Sequence, residues 1–160
     1  MEVGEKVSIH IEPEKCTGCT ACELICSLEH EGYFNPSASR IKVLKEEEEG
    51  IDLPVLCMHC EDPICLDMCL MGAISRENES TIVLNSEACR GCKACMMACP
   101  YGAIRFFGGR MIKCDLCHGK ALCAEWCPTQ ALRLIKDEST EAARSKKMIG
   151  MMMKSITESR

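Results

Sequence analysis

Cys89-Arg90-Gly91-Cys92-Lys93-Ala94-Cys95-Met96-Met97-Ala98-Cys99-Pro100 spaces four cysteines as C-x₂-C-x₂-C-x₃-C, and Cys16-Thr17-Gly18-Cys19-Thr20-Ala21-Cys22-Glu23-Leu24-Ile25-Cys26 repeats that spacing. Two further groups stretch one gap: Cys57, Cys60, Cys65 and Cys69, then Cys114, Cys117, Cys123 and Cys127. No cysteine of the sixteen is left over. The tight spacing is that of bacterial-type [4Fe–4S] ligation, in which a short loop curls three thiolates around three corners of a cubane. Four groups therefore predict four clusters.

The fourth cysteine of each group is expected on a short helix leaving its loop, and in two-cluster ferredoxins that residue ligates the other cluster. Zinc is the competing metal, because C-x₂-C pairs also build tetrahedral Cys₄ sites. A pairwise zinc site has no use for the third cysteine at Cys22 or Cys95, whereas a cubane does. Disulfides are the other alternative, since sixteen cysteines in 160 residues is a density found in secreted scaffolds. Met1 to Lys15 is charged throughout and lacks the apolar run of a signal peptide, so the thiols are expected to be held reduced in a cytoplasm. No run of about 18 apolar residues predicts a membrane span.

With three Phe, two Tyr and one Trp, the chain has few large apolar side chains for a core. The metal centres must then organise the packing, and the apo chain is expected to be largely unfolded. The formal charge of −5 counts every cysteine as neutral. Sixteen thiolates against four oxidised cores of +2 add about eight negative charges, which puts the loaded chain near roughly −13. That excludes nucleic acid as a natural partner and favours basic faces on redox partners.

Val7–Ile11, Thr81–Leu84 and Arg110–Lys113 read as strands preceding cysteine groups, and Met71-Gly72-Ala73-Ile74, Tyr101-Gly102-Ala103-Ile104 and Thr129-Gln130-Ala131-Leu132 as exits turning into strands. Glu46 to Glu49 is read as a solvated hairpin tip, the alternative being a docking site. Gly108-Gly109 marks a second hairpin turn. His59 and His118, inside and beside ligand loops, are read as solvent-facing, the alternative being a hydrogen bond toward sulfur. Trp126, Met58, Met96 and Met97 are expected to shield the clusters from water. From Ser139 the chain loses cysteine, and Met148, Ile149, Met152, Met153 and Ile156 predict one apolar face of a C-terminal helix. That face would pack on the protein itself or dock a partner subunit.

No Walker loop, G-x-G-x-x-G, G-x-S-x-G or H-E-x-x-H occurs, so no catalytic residues are assigned. Over roughly residues 5 to 136 the chain resembles the polyferredoxin-like electron-transfer subunits of molybdenum or tungsten pterin oxidoreductases. The likeness rests on the four groups in order, on Cys60-Glu61-Asp62-Pro63-Ile64-Cys65, and on Cys99-Pro100 and Cys127-Pro128. Cys22-Glu23-Leu24-Ile25-Cys26-Ser27-Leu28-Glu29-His30-Glu31-Gly32, with Asn35-Pro36 and Ser39-Arg40-Ile41-Lys42-Val43, is similar to small subunits paired with tungsten aldehyde oxidoreductases.

The resemblance implies an α+β fold of two nested bacterial-ferredoxin-like modules binding four [4Fe–4S] clusters. Residues 1–50 and 110–136 form the outer module, 51–109 the inner one, and 137–160 the C-terminal amphipathic helix. It also implies an exchange of ligands: Cys16, Cys19 and Cys22 with Cys127; Cys114, Cys117 and Cys123 with Cys26; Cys57, Cys60 and Cys65 with Cys99; and Cys89, Cys92 and Cys95 with Cys69. The implied partners are a large catalytic subunit with a tungsten or molybdenum pterin and a second redox partner such as a ferredoxin or flavin subunit. Aldehyde oxidation is the expected reaction; a free-standing polyferredoxin, or a relay subunit of a formate dehydrogenase, hydrogenase or carbon monoxide dehydrogenase, is the alternative. Ser27 and Leu70 depart from the family, standing where proline often follows the fourth cysteine. The short Cys117-to-Cys123 spacing departs too, and weakens any inference to a membrane anchor subunit.

Overall fold

The computed structural model describes residues 7–77 and 80–136. The predicted helix beyond residue 137 lies outside the described residues. Among the described residues, eight short strands form four separate two-stranded antiparallel sheets. Where aromatic residues are this few, no large sheet has a face to bury, and each ribbon packs against cysteine loops instead.

The two ends of the described chain meet. Strand β1 (Val7–Ile11) pairs with β8 (Leu132–Lys136), Val7 opposite Lys136 and Ile11 opposite Leu132. Ile9 and Leu132 turn inward and are almost fully buried. Strands β2 (Lys42–Glu46) and β3 (Ile51–Val55) make the first hairpin, and its tip carries the glutamate run in solvent as expected. Strands β4 (Ile74–Glu77) and β5 (Thr81–Leu84) make the second. Strands β6 (Ile104–Phe107) and β7 (Arg110–Lys113) make the third. Its two-residue turn is Gly108-Gly109, with φ of +57° and +82°. Positive φ at both central residues is the requirement of the type I′ turn, whose twist matches that of the strands.

Helices are short except the first: α1 (Ala21–Glu31), α2 (Ile64–Asp67), α3 (Ala94–Ala98) and α4 (Leu122–Glu125). The expectation that each fourth cysteine lies on a short helix fails: Cys69, Cys99 and Cys127 fall just past the ends of α2, α3 and α4, and Cys26 alone is helical, inside α1, which runs 11 residues. Proline is absent at 27, and Ser27 turns its hydroxyl back to the Leu24 carbonyl at 2.8 Å, so nothing breaks the helix before Gly32. Gly32 then ends it in the left-handed region at φ +77°, donating its N–H to the Leu28 carbonyl.

Helix α1 packs on α4, and α2 on α3, so the first cysteine group meets the fourth and the second meets the third. The proposed module boundaries at 50/51 and 109/110 fall in the turns of two hairpins, so each of these hairpins gives one strand to either half. Long-range polar contacts tie the segments: Glu31 reaches Arg40 and Arg110 at 3.0 Å each, and Arg105 donates to the Ser39 carbonyl at 2.9 Å.

Candidate iron–sulfur sites

All sixteen cysteines lie among the described residues as free thiols. All but Cys19 and Cys92 are buried or half-buried, and among the described residues each of three apolar clusters contains or touches cysteines, the first gathering Cys22, Cys26, Cys114 and Cys123, the third Cys65 and Cys95.

Which thiols approach one another follows from their electrostatics. Burial, first of all, pushes seven of them up, and neighbouring thiols push these further. Cys16 feels Cys19 and Cys127, and Cys22, raised to about 12, feels Cys16 and Cys19. Cys114 and Cys123, raised well above the usual thiol range, both feel Cys26, as does Cys117, raised to about 11. Cys65 feels Cys57 and Cys99, while Cys95 feels Cys69 and Cys89. Thiolates so crowded would repel one another, and a metal bound between them would offset that charge.

One cavity makes the arrangement visible. It is lined by Cys57, Cys60, Cys65 and Cys99, with Met58 and Tyr101 among its apolar walls. Pro63, Ile64, Ile82 and Ile104 add to its walls, so the four thiols are the soft donors gathered at it. Four soft donors around an apolar hollow fit an iron–sulfur cubane.

The loops use one backbone step. The second residue after each leading cysteine has positive φ: Gly18 at +62°, His59 at +49°, Gly91 at +66° and Leu116 at +60°. Turning the chain there brings main-chain N–H groups toward sulfur. His59 N–H donates to Cys57 Sγ at 3.4 Å and Gly91 N–H to Cys89 Sγ at 3.5 Å. Arg40 N–H reaches Cys26 Sγ at 3.3 Å and Ala73 N–H reaches Cys69 Sγ at 3.2 Å. Such bonds stabilise negative charge on the thiolates.

Several expectations are corrected. His59 is buried, not solvent-facing: its Nδ1 accepts the Ile82 N–H at 3.0 Å, which fixes strand β5 over the loop. His118 is exposed as expected. Trp126 is 62% exposed and Met97 84%, so neither shields a thiol; each lies on the outward side of a helix end that the apolar interior does not reach. Met58 is buried against the cavity, and Met96 packs on the third apolar cluster.

The sequence reading missed His30. Its Nδ1 donates to the Cys26 carbonyl at 2.8 Å and lies 3.9 Å from Cys26 Sγ, while Nε2 donates to Asp115 Oδ1 at 2.9 Å. Asp115 also accepts the Cys117 N–H at 2.9 Å. Burial alone would lower the His30 pKa, but its bonds to Asp115 and Cys26 outweigh that and hold it at about 10. Asp115, which burial would raise, is held well below the usual carboxylate range, first of all by His30. Burial raises Cys26 too, yet His30 and the Arg40 N–H together bring it below the usual thiol value. His30, Asp115 and Cys117 also stand close enough to hold a metal ion, but both ring nitrogens are already committed. Glu23 was missed as well: it is buried, and its carboxylate accepts the Val43 N–H at 2.7 Å and Lys42 Nζ at 3.0 Å, joining α1 to β2. An i, i+4 pair of Cys and His on one helix face was the only sequence signal for His30; Glu23 offered none.

Among the described residues no helix is long and apolar enough to cross a membrane. Residues 49–137 match the 4Fe-4S dicluster domain family and residues 13–32 a 4Fe-4S binding domain. The aliphatic sulfonate oxidoreductase polyferredoxin-like subunit of Pyrococcus furiosus is 44% identical over 129 residues, covering 79% of this chain and 74% of that one. The B subunit of the anaerobic dimethyl sulfoxide reductase of Escherichia coli is 34% identical over 144 residues, covering 76% and 69%. Among solved structures, the active site complex BamBC of benzoyl coenzyme A reductase with benzoyl-CoA contains a chain similar at TM-score 0.50 and 26% identity, covering 89% of this chain and 88% of that one.

Proposed function

The protein belongs to the 4Fe-4S dicluster-domain family of iron–sulfur electron-transfer subunits of oxidoreductases, and we propose that it holds four [4Fe–4S] clusters in exchanged ligand sets and relays electrons between a catalytic subunit and a second redox partner. The observation that carries this reading is the cavity at which Cys99 joins the three leading cysteines of a different group. When bound, such clusters take up and release single electrons, at potentials their surroundings set.

The neighbourhoods of the thiols support an order. Cys22 adjoins Cys123, Cys114 adjoins Cys57, and Cys65 adjoins Cys95. The sets then run from Cys16, Cys19, Cys22 and Cys127, through Cys26, Cys114, Cys117 and Cys123, through Cys57, Cys60, Cys65 and Cys99, to Cys69, Cys89, Cys92 and Cys95. The second set is buried at every cysteine, whereas the two end sets each expose one, Cys19 and Cys92. Water exclusion in the middle and access at the ends is what a relay requires. Exposed apolar side chains accompany both ends: Trp126 beside Cys127, and Leu70, Met71 and Met97 around Cys69 and α3. We assign these ends to docking of the two partners.

On this reading residues 1–50 with 110–136 form the outer module and 51–109 the inner one. The catalytic partner carries a tungsten or molybdenum pterin, and the similarity of residues 22–43 to tungsten aldehyde oxidoreductase small subunits points to aldehyde oxidation in the cytoplasm. The test is metal analysis of the native complex. About sixteen irons and as much sulfide per chain, with tungsten or molybdenum in the co-purifying subunit, is expected; colourless material or far fewer irons overturns the relay. Ligand exchange is tested by Cys26→Ser, which should disturb the paramagnetic signal of the Cys114 group; disturbance of the Cys16 group instead would refute it.

A further inference from the structure

Lys113 is the last residue of β7, and it is 4% exposed. Its Nζ donates to two main-chain carbonyls, that of Cys114 at 3.1 Å and that of Ile82 on the facing strand β5. Among the described residues no carboxylate pairs with it. Burying an ammonium is costly, and uncharged carbonyls alone do not offset that. Its two carbonyl partners belong to Cys114, of one interior cysteine set, and to Ile82, which lines the hollow of the other. Lys113 acts on Cys65, pulling that thiol down against the burial that raises it, and it directly precedes Cys114. Cys114 in turn adjoins Cys57. The lysine therefore stands at the seam between the two interior cysteine sets, where β5 meets β7.

We propose that Lys113 is the internal counter-cation of the two middle clusters and raises their reduction potentials relative to the end clusters. The inference rests on the four-cluster relay reading. A cluster gains one negative charge on reduction, and a fixed positive charge nearby stabilises the reduced form more than the oxidised one. Little water can screen the interaction at so buried a seam. Lys113 touches no reacting partner; it is a positioning residue that acts through Cys65 and Cys114. With it, an electron entering at either exposed end moves toward the interior and is not stalled by the negative charge already concentrated there.

The experiment is a redox titration followed by electron paramagnetic resonance on the holoprotein, comparing wild type with Lys113→Met, Lys113→Gln and Lys113→Arg. Signals are assigned by their loss in Cys65→Ser and Cys114→Ser. The neutral variants should lower the potential of one or both middle clusters and leave the end pair in place, and Lys113→Arg should restore the wild-type values. Glutamine keeps a donor for the carbonyls, so it separates charge from hydrogen bonding. If both neutral variants fail to load iron while Lys113→Arg loads fully, the charge is likewise assigned. Unmoved potentials, an equal shift of all four, or loss of loading in all three variants overturns the inference. Iron and sulfide counts on the same samples keep the two readings apart: wild type far short of about sixteen irons fails the relay, whereas full loading with unmoved potentials fails Lys113 alone.

Discussion

The loops at 16–22 and 89–95 make their left-handed step with Gly18 and Gly91, while those at 57–65 and 114–123 make it with His59 and Leu116. Both glycine loops leave their second cysteine exposed, at Cys19 and Cys92. In the other two, the residue making the step is itself buried, His59 at 5% and Leu116 at 2% exposure. Holding a non-glycine residue there costs about 1–2 kcal/mol. The middle loops tolerate that cost because the side chain, once turned inward, fills the space around the thiols or binds a facing strand. Glycine makes the turn without strain but offers nothing to exclude water. The same backbone step thus yields an accessible site or an insulated one, depending on the side chain carried through it.

The comparison breaks first at the ligands. Cys123→Ser, at a buried position in the first apolar cluster, should cost about four of sixteen irons and much of the packing between α1 and α4. Cys19→Ser, at the surface, should leave the packing and the other three clusters in place. Iron counts with chemical denaturation of both variants check this. Equal damage would mean that exposure does not separate the ends from the middle. Chelation of all iron should unfold both regions alike, because each apolar cluster among the described residues contains or touches cysteine.

Leu116 gives a sharper test. Leu116→Ala should destabilise the holoprotein by about 2–5 kcal/mol through the cavity left behind. Leu116→Gly removes still more side chain yet relieves the left-handed strain, so it should be no worse than alanine. If glycine is clearly worse in urea denaturation, strain at 116 is not what the buried contacts offset.

Much of this was legible beforehand, because it is written in local pattern. The cysteine spacings, the strands at 7–11, 81–84 and 110–113, and the glutamate tip between β2 and β3 all depend on neighbours in sequence. What escaped depends on distant segments meeting. Lys113 is one lysine in a strand until Ile82 and Cys65 approach it, and Asp115 is a loop acid until His30 arrives from α1. His59 looked like a surface residue because nothing local says that β5 will cover it. Trp126 and Met97 were expected to shield the clusters because they are apolar and lie close to ligand cysteines in sequence, which cannot tell a covering residue from one turned outward at a helix end.

Smaller effects compare the glycines with each other. Gly18→Ala and Gly91→Ala both force a side chain into positive φ, at about 1–2 kcal/mol each. They differ in what the new Cβ meets. At Gly91 it would lie 3.0 Å from the Gly109 carbonyl oxygen, part of the β6–β7 turn, and 3.2 Å from Phe106. At Gly18 it would overlap the Asp52 carboxylate, a side chain that can swing toward solvent. Gly91→Ala should therefore be the more destabilising in denaturation of the loaded protein. The reverse order would mean that Asp52 is held in place at the Cys16 loop and is part of that end's construction.

The smallest effect on stability is expected at Trp126. At 62% exposure beside Cys127, it adds little to the interior, and Trp126→Ala should change stability by no more than about 0.5 kcal/mol. Association with a redox partner is another matter, since an exposed tryptophan is the kind of residue that carries interface affinity. Co-purification of the catalytic or second partner should weaken in this variant while iron content holds. A loss of stability above about 1 kcal/mol with association intact would make Trp126 a shield of the end site after all, and the distinction between insulated middle and accessible ends would then fail where Cys127 adjoins Cys16.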